Sequence, residues 1–233
     1  MFWQEAKNLA YTGEVDAKLP ARVFPDKDMV HHFHPIAWVR QMKLINGGLD
    51  IKAGVEWLDG MAIPQEKANI KANYKVLYVQ EGGKLRTSDT EEALKYTDCS
   101  ELVCRFLNKI GWSKEVKHLN TSALFSYAKK YPNRLIKQNK DYKPQKGDIF
   151  LWANKAGSNG HTGVVVNYDT NTDIVTTIEA INFKEKPEGA SEKINLQGVV
   201  KLKWDRESRH LVNHRTKTKR YTAEPCRFYT PQY

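Results

Sequence analysis

The spacing of apolar residues predicts two helices in the middle of the chain. Between residues 97 and 112, apolar side chains recur at every third or fourth position, and Gly111 follows the last of them. This spacing places the apolar side chains on one face of a helix, which the glycine ends. The residues of that face are Val103, Phe106, Leu107 and Ile110. A second helix is predicted over residues 122–131, and Pro132 sets its end.

After a turn with the sequence KPQKGD, the chain changes to the short apolar runs that are typical of β-strands. The segments between these runs are rich in Asn, Gly and Asp, which favour turns. The predicted strands cover residues 148–152, 162–168, 174–180 and 198–204. Helices followed by an antiparallel meander indicate an α+β fold, because an alternation of strands and helices would instead build a parallel sheet.

Residues 1–90 carry weaker signals than the rest of the chain. An extended lead-in covers residues 1–30, a short helix that Pro35 starts is predicted over residues 32–45, and a strand is predicted over residues 74–79. We therefore predict an N-terminal extension over residues 1–90, which serves delivery or builds part of a cleft. The main domain then covers residues 91–233 and includes a basic C-terminal tail.

The charge of the chain favours anionic partners without choosing among them. The 37 Lys and Arg residues exceed the 27 Asp and Glu residues and give a formal net charge of +10. Such a field attracts nucleic acid, anionic lipid and acidic cell-wall polymers alike. From residue 201 onward, nine basic residues stand against three acidic ones. This tail is either a solvated surface or a docking face for an anionic substrate or partner.

The cysteine count and the N-terminus bear on the compartment. Three cysteines are too few for a disulfide scaffold, which indicates synthesis in a reducing compartment. The N-terminal residues lack the basic region and apolar core of a secretory signal, and no apolar run reaches the roughly 18 residues of a membrane span. We therefore predict synthesis in the cytoplasm without a signal peptide, and no membrane span.

Cys99 is the best candidate for a nucleophile, because it lies in the first turn of the predicted helix over residues 97–112. The N–H groups and the dipole at a helix N-terminus stabilise a thiolate there. The same N–H groups can stabilise the oxyanion that forms when a thiolate attacks a carbonyl. Most cysteines are inert core residues, and this is the interpretation for Cys104, inside the helix, and for Cys226, which has no candidate base beside it.

A reactive cysteine needs a base, and His161 is the best placed residue for that role. It opens a predicted strand directly after a flexible turn, from where its ring can face the helix. Glu179 lies on the next predicted strand, where its carboxylate can orient the imidazole through the second ring nitrogen. A lone histidine at the start of a strand is usually structural, so it is the combination of the three residues that indicates catalysis.

Four motifs carry a resemblance to known enzymes. DCSELV, residues 98–103, resembles the nucleophile motif of NlpC/P60 peptidases, commonly DCSGLV. KPQKGDIFLW, residues 143–152, resembles the P-x-x-GD strand of that superfamily, and GHTGVVV, residues 160–166, resembles its His-bearing strand. TIEAIN, residues 177–182, is similar to the IEAN strand of CHAP amidases. Together the motifs follow the family's order.

The resemblance implies a papain-like NlpC/P60 fold with the nucleophile at a helix N-terminus packed on an antiparallel sheet. It assigns Cys99 as nucleophile, His161 as general base and acid, and Glu179 as the orienting residue. Asp98, Ser100 and Asn182 are then expected to bind substrate. Glu101 stands where the motif usually has Gly, and Glu179 stands where NlpC/P60 enzymes often have His. These departures leave the subfamily, and with it the bond that is cleaved, open.

The family implies hydrolysis of amide bonds in peptidoglycan stem peptides, by an endopeptidase or an N-acetylmuramoyl-L-alanine amidase, with no cofactor and no metal ion. Such an enzyme without a signal peptide needs another route to the wall. The segment HFHPIAWVRQM, residues 32–42, resembles type VI secretion cargo. We therefore favour an antibacterial effector that acts in the periplasm or cell wall of a target bacterium, over a phage or housekeeping hydrolase. A secretion-system carrier and an immunity protein would be its further partners.

Other functions remain open. The cluster HHFH, residues 31–34, lacks the spacing and the carboxylate of a helical zinc motif, so a polar turn is the better interpretation. A nucleic-acid binder would use the aromatic residues in the basic tail, but no known motif accompanies them. A papain-like acyltransferase or deamidase acting on a protein, and a non-catalytic module that binds the cell wall, are the remaining alternatives.

Overall fold

The computed structural model describes residues 48–68, 70–80, 95–112, 119–153, 160–186, 191, 193–207, 210–217 and 226–232. Residues 51–232 form one compact unit. The predicted helix over residues 32–45 lies outside the described residues, and so does the predicted boundary near residue 90, which stays a prediction. Among the helices that the structure describes, none is long and apolar enough to cross a membrane.

Three α-helices and a sheet of ten strands make up the described part of the unit. The helices are α1 (Ile51–Met61), α2 (Cys99–Lys109) and α3 (Thr121–Lys130). The first strands are β1 (Ile63–Pro64), β2 (Leu77–Tyr78), β3 (Tyr96–Thr97), β4 (Leu135–Lys137) and β5 (Ile149–Ala153). The others are β6 (Gly160–Asp169), β7 (Ile174–Glu185), β8 (Ile194–Glu207), β9 (His210–Asn213) and β10 (Arg227–Pro231). Two short 3₁₀ turns, Gln65–Lys67 and Lys71–Asn73, follow β1.

The sheet is mostly antiparallel and runs in the order β3-β2-β8-β7-β6-β5-β10-β4, with β1 and β9 also paired to β8. Its centre is the meander of β5 to β8, in which each strand pairs with its neighbour in sequence. The parallel pairs are β1 with β8 and β2 with β3. Helices followed by this antiparallel sheet confirm the α+β fold predicted from the sequence.

Helix α2 is the element that positions the candidate nucleophile, and it packs against β6 and β7. Its apolar face is buried, as the spacing of Val103, Phe106 and Leu107 predicts. Helix α1 lies close against α2 at Gly54, where a side-chain methyl group would overlap Phe106 and Ile110. Helix α2 ends before Gly111, whose positive φ of 81° favours glycine.

A hydrophobic core cluster lies along β7 and β8 and includes Val175, Ile181, Val200, Leu202 and Trp204. In both strands these residues alternate with residues on the opposite face, which is the period expected of a strand. Burial of such apolar side chains stabilises each by roughly 1.5–3 kcal/mol relative to exposure. The face of β7 that carries Glu179 therefore belongs to the interior of the protein.

The elements that the sequence analysis predicted from residue 97 onward are present, with small differences at their ends. The central strands extend further than predicted, since β7 continues to Glu185 and β8 begins at Ile194. Helix α1 was not predicted from the sequence. The predicted strand over residues 74–79 is limited to β2. Part of the basic tail, expected as a solvated surface or a docking face, forms β9 and β10.

Candidate active site

Cys99 is the first residue of α2, and Asp98 is its N-cap. The Asp98 carboxylate oxygen Oδ1 accepts hydrogen bonds from the Glu101 backbone N–H and from the Ser100 hydroxyl, both at 2.8 Å. An N-cap of this kind satisfies N–H groups that the helix leaves without partners and fixes where the helix begins. The thiol of Cys99 is thereby held at the N-terminus of α2, as the sequence predicts.

His161 lies near the start of β6, and its ring bonds to a carboxylate on the neighbouring strand. The distance between His161 Nε2 and Glu179 Oε2 is 2.7 Å. The His161 ring also lies beside the Phe150 ring, with 5.7 Å between the ring centroids. Because Nε2 is bound to Glu179, the other ring nitrogen, Nδ1, is left to face the thiol of Cys99, to which the His161 side chain is hydrogen-bonded.

Glu179 is fully buried, and its second oxygen is held by two donors from the core side of the sheet. Glu179 Oε1 accepts hydrogen bonds from the Thr177 hydroxyl at 2.5 Å and from Trp204 Nε1 at 2.8 Å. Hydrogen bonds to an ionised acceptor are stronger than neutral ones, and they fix the orientation of the carboxylate plane. Oε2 is therefore directed at His161 by the contacts that Oε1 makes with Thr177 and Trp204.

Gly163 makes room for this arrangement on β6. A Cβ atom at this position would lie 2.6 Å from Glu179 Cγ and 2.7 Å from Phe150 Cε1. Real Cβ atoms do not approach other atoms so closely, so any side chain here would displace the carboxylate or the aromatic ring. The glycine two residues after His161 is therefore required by the packing of Glu179 rather than by a backbone turn.

The environment of Cys99 favours its thiolate form. Burial opposes ionisation, but the charge of His161, its hydrogen bond to the thiol and the Thr162 backbone N–H outweigh burial and the nearby Asp98, and they lower the pKa of Cys99 below its ordinary value. A thiolate beside an imidazolium is the reactive form of a catalytic cysteine. The buried carboxylate of Glu179 then stabilises the imidazolium, as the third member of a catalytic triad does.

The structure places the three residues predicted to bind substrate in different surroundings. Asp98 and Ser100 are buried and bonded to each other at the start of α2. Asn182 is exposed on β7, and strand alternation places it on the face opposite Glu179 and Ile181. The contacts of Asp98 and Ser100 thus fix the helix terminus, and Asn182 is on the other side of the sheet from the carboxylate.

Glu101, the departure from the usual motif, is buried in the first turn of α2 rather than exposed beside the thiol. Its carboxylate accepts a hydrogen bond from Arg105 Nε at 2.9 Å, and Arg105 Nη1 donates to the backbone oxygen of Tyr96 at 3.2 Å. The Glu101–Arg105 pair therefore ties α2 to the segment that leads into it.

Sequence reasoning missed Thr177 and Trp204, the two residues that hold Glu179. A signal for Thr177 was present, because residues two apart on a strand share a face and Thr177 is two positions before Glu179. Trp204 reaches Glu179 from β8, where the residue directly opposite Glu179 is Val200. Trp204 lies four residues further along β8 than Val200, so the contact depends on its long side chain. No local sequence pattern predicts such a contact.

Fold and site together define a papain-like protein with a Cys-His-carboxylate site at the junction of a helix N-terminus and an antiparallel sheet. Comparison with known families agrees with this class. Residues 89–180 match the model of the CHAP domain family, and the match includes Cys99, His161 and Glu179. Residues 89–180 are thus similar to a CHAP domain, in agreement with the sequence motifs.

Two known proteins are similar to this chain. A lysin of Pneumococcus phage Dp-1 is 26% identical over 125 residues, which are 52% of this chain and 36% of the lysin. The chain therefore spans about a third of the length of that relative. The crystal structure of the wild-type endolysin LysIME-EF1 has a TM-score of 0.41 and 11% sequence identity, over 79% of this chain and 65% of that chain.

Proposed function

We propose that this chain is a peptidoglycan hydrolase in which Cys99 is the nucleophile, His161 the general base and acid, and Glu179 the residue that orients the imidazole. The observation that carries the proposal is the hydrogen-bonded series from the Cys99 thiol through His161 to the buried Glu179 carboxylate. Its location within a CHAP-like segment supports a wall substrate, because the similar phage protein is described as a lysin.

The reaction would proceed through an acyl-enzyme. The Cys99 thiolate attacks the amide carbonyl carbon, and the electron pair moves to the oxygen, where N–H groups at the start of α2 stabilise it. The C–N bond then breaks as the His161 imidazolium gives its proton to the leaving nitrogen, which leaves a thioester on Cys99. His161 next takes a proton from a water molecule, whose oxygen attacks the thioester. Cleavage of the C–S bond releases the carboxylic acid product and restores the thiolate.

We further propose that the scissile bond is an amide of the peptidoglycan stem peptide, cut by an endopeptidase or an N-acetylmuramoyl-L-alanine amidase. Stem peptides carry carboxylates, and a chain with a formal net charge of +10 attracts such a substrate. Asp98 and Ser100 would act by fixing the helix terminus that carries Cys99, since their side chains bond to each other and to the helix backbone.

Two routes to the cell wall remain as proposals. The segment over residues 32–42, which suggests a secreted antibacterial effector with a carrier and an immunity partner, lies outside the described residues. The similarity to a phage lysin favours the alternative, a lytic enzyme that reaches the wall during phage release. Both routes end at the same substrate, so the enzymatic test does not depend on the choice.

The test is mass spectrometry of purified peptidoglycan fragments after incubation with the protein and with Cys99→Ala. We expect new cleavage products with the wild type only, and their masses identify the bond. Cys104→Ala is the matched control, because this buried thiol lies in the same helix and donates to the Leu119 backbone oxygen at 3.3 Å. It should retain the activity.

Intact fragments with both the wild type and Cys99→Ala, when both proteins are folded, would contradict the proposal. A protein substrate for acyl transfer or deamidation, or a binding role without catalysis, would then take its place. Loss of activity in Cys104→Ala as well as in Cys99→Ala would mean that the helix, rather than the nucleophile, is sensitive to substitution.

A further inference from the structure

A cleft lies at the start of β10, and its lining contains none of Cys99, His161 and Glu179. It opens between the segment that follows β4, the end of β8, and the starts of β9 and β10. We call it the basic cleft. Its lining includes Lys140, Arg206, His210, Cys226, Arg227 and Phe228.

The basic cleft concentrates positive charge, because three of its lining residues are cationic and none of its described lining residues is acidic. Two of the three, Arg206 and Arg227, belong to the basic C-terminal region, and Lys140 comes from a separate part of the chain. Within the described residues, the Arg227 side chain has neither a hydrogen bond nor an ion pair. Two cations of the same region outside the cleft are paired, Lys201 with Asp59 and Lys217 with Asp205.

Arg206 is held in a fixed orientation at the edge of the cleft. Its Nη1 donates to the Tyr168 hydroxyl at 3.2 Å and lies 3.3 Å from Asp173 Oδ1, and its guanidinium lies 5.5 Å from the centroid of the Tyr168 ring. Asp173 is the acidic group that faces Arg206, and it is half exposed on the turn before β7. One acidic neighbour does not balance the three cations of the cleft.

His210, which also lines the basic cleft, has a buried nitrogen atom, Nδ1, without a hydrogen-bond partner among the described residues. A buried polar atom without a partner costs free energy, and native proteins leave few of them. Because the His210 side chain lines the basic cleft, an anion bound there would change the surroundings of the imidazole and would interact with the neighbouring guanidinium groups.

We propose that the basic cleft binds an oxyanion, either a phosphate or a carboxylate group. Two guanidinium groups and an ammonium group match the charge of such a ligand, and arginine forks donate paired hydrogen bonds to its oxygens. The ligand has two possible sources, a phosphate-bearing molecule and the carboxylate of a peptide. This inference does not depend on the hydrolase activity, since it concerns residues outside the Cys99 site.

The experiment titrates the full chain with inorganic phosphate and, separately, with acetate, and follows the His210 imidazole by NMR, with its signals assigned through His210→Gln. We expect a saturable shift of those signals with at least one of the two anions. Arg227→Gln should weaken the binding by roughly tenfold or more, because hydrogen bonds to charged groups contribute about 1.5–3 kcal/mol. Tighter binding of phosphate assigns the ligand to a phosphate-bearing molecule, and tighter binding of acetate assigns it to a peptide carboxylate.

Lys203→Gln is the matched control, because it removes the same charge from an exposed position on β8 outside the cleft. It should leave the affinity within about twofold of the wild type, apart from the general loss of positive field. Lys140→Gln provides a second test at an exposed cleft residue whose loss does not endanger folding. The absence of a saturable shift with either anion, or equal affinities for Arg227→Gln and Lys203→Gln, would overturn the proposal.

Discussion

The two cysteines at the starts of α2 and β10 show how neighbours determine the chemistry of a thiol. For Cys99, burial is outweighed by His161, and the pKa falls below its ordinary value. For Cys226, burial is the largest influence and the charge of Glu179 adds to it, so the pKa is raised. The Glu179 carboxylate bonds to the imidazole that lowers the pKa of Cys99, whereas it acts on Cys226 directly as a negative charge. Because a carboxylate stabilises the imidazolium form of a bonded histidine, we expect the imidazole between Glu179 and Cys99 to reverse the effect of the carboxylate on the thiol.

Removal of the His161 imidazole is expected to have the largest effect on the difference between the pKa values of Cys99 and Cys226. In His161→Ala, hydrolytic activity should fall by roughly 10⁶-fold, as in other triads that lose their base. The pKa of Cys99 should then rise, because burial and Asp98 remain while the lowering influence is gone. The rate of alkylation by iodoacetamide as a function of pH measures this. The wild type should react at Cys99 below the ordinary pH range of thiols, and the variant only above it.

Mass spectrometry of the alkylated peptides assigns the reaction to each cysteine. Cys226 is the internal control, since its raised pKa does not involve His161 and its modification should follow the same pH curve in both proteins. An unchanged alkylation profile at Cys99 in His161→Ala would contradict the assignment of His161 as its partner.

Neutralisation of the shared carboxylate is expected to have the next largest effect. Glu179→Gln keeps the shape of the side chain but removes the charge that stabilises the imidazolium, so kcat should fall by roughly 10⁴-fold. The two thiols should respond with opposite signs. The pKa of Cys99 should rise because its imidazolium partner is weakened, and the pKa of Cys226 should fall because a nearby negative charge is lost.

The same alkylation profiles, recorded for both cysteines in Glu179→Gln, measure this response. Shifts of both pKa values in the same direction would indicate a general loosening of the structure rather than the loss of a charge. They would contradict the view that the imidazole reverses the effect of Glu179.

The smallest effect is expected from the donor that orients the carboxylate. Trp204→Phe removes the Nε1 donor to Glu179 Oε1 and keeps most of the buried ring, so activity should fall by about tenfold. Because Trp204 acts through Glu179, kcat should change more than KM, and the pH dependence of kcat/KM should shift as well. A purely structural role would not move the pH profile.

Trp112→Phe is the control for this substitution. Trp112 is as deeply buried as Trp204, and its Nε1 donates to the Arg134 backbone oxygen at 2.8 Å, away from the catalytic residues. It should lose thermal stability without a shift of the pH profile. Equal kinetic changes in the two variants would remove Trp204 from the set of positioning residues.

Local sequence patterns were sufficient for α2 and the central meander. The apolar spacing of α2 needs no distant information, and the Asp98 cap lies next to the helix that it begins. The strand-forming runs of β5 to β8 are separated by turns that the sequence marks clearly. The same patterns, with the family resemblance, selected Cys99, His161 and Glu179 as one site. In the structure, His161 bonds to Glu179 and to the Cys99 thiol.

What the sequence could not predict depends on contacts between distant segments. Trp204 reaches Glu179 only because the register of β7 and β8 places them within reach. The basic cleft requires Lys140 and Arg227 to meet, although they are far apart in the chain. Helix α1 was missed for a different reason, since its apolar face includes Gly54, and a glycine in a helix weakens the local signal.

The position of β10 in the sheet determines when, during synthesis of the chain, the sheet can be completed. Strand β10 lies between β5 and β4, so β4 joins the sheet only through residues that are synthesised last in the described part of the chain. Translation produces Cys99, His161 and Glu179 before Trp204 and β10 exist. A nascent chain of that length holds the reactive groups without the indole that aligns the carboxylate and without the strand that closes the sheet. We therefore expect the site formed by Cys99, His161 and Glu179 to reach its final geometry only after residue 231 has been added.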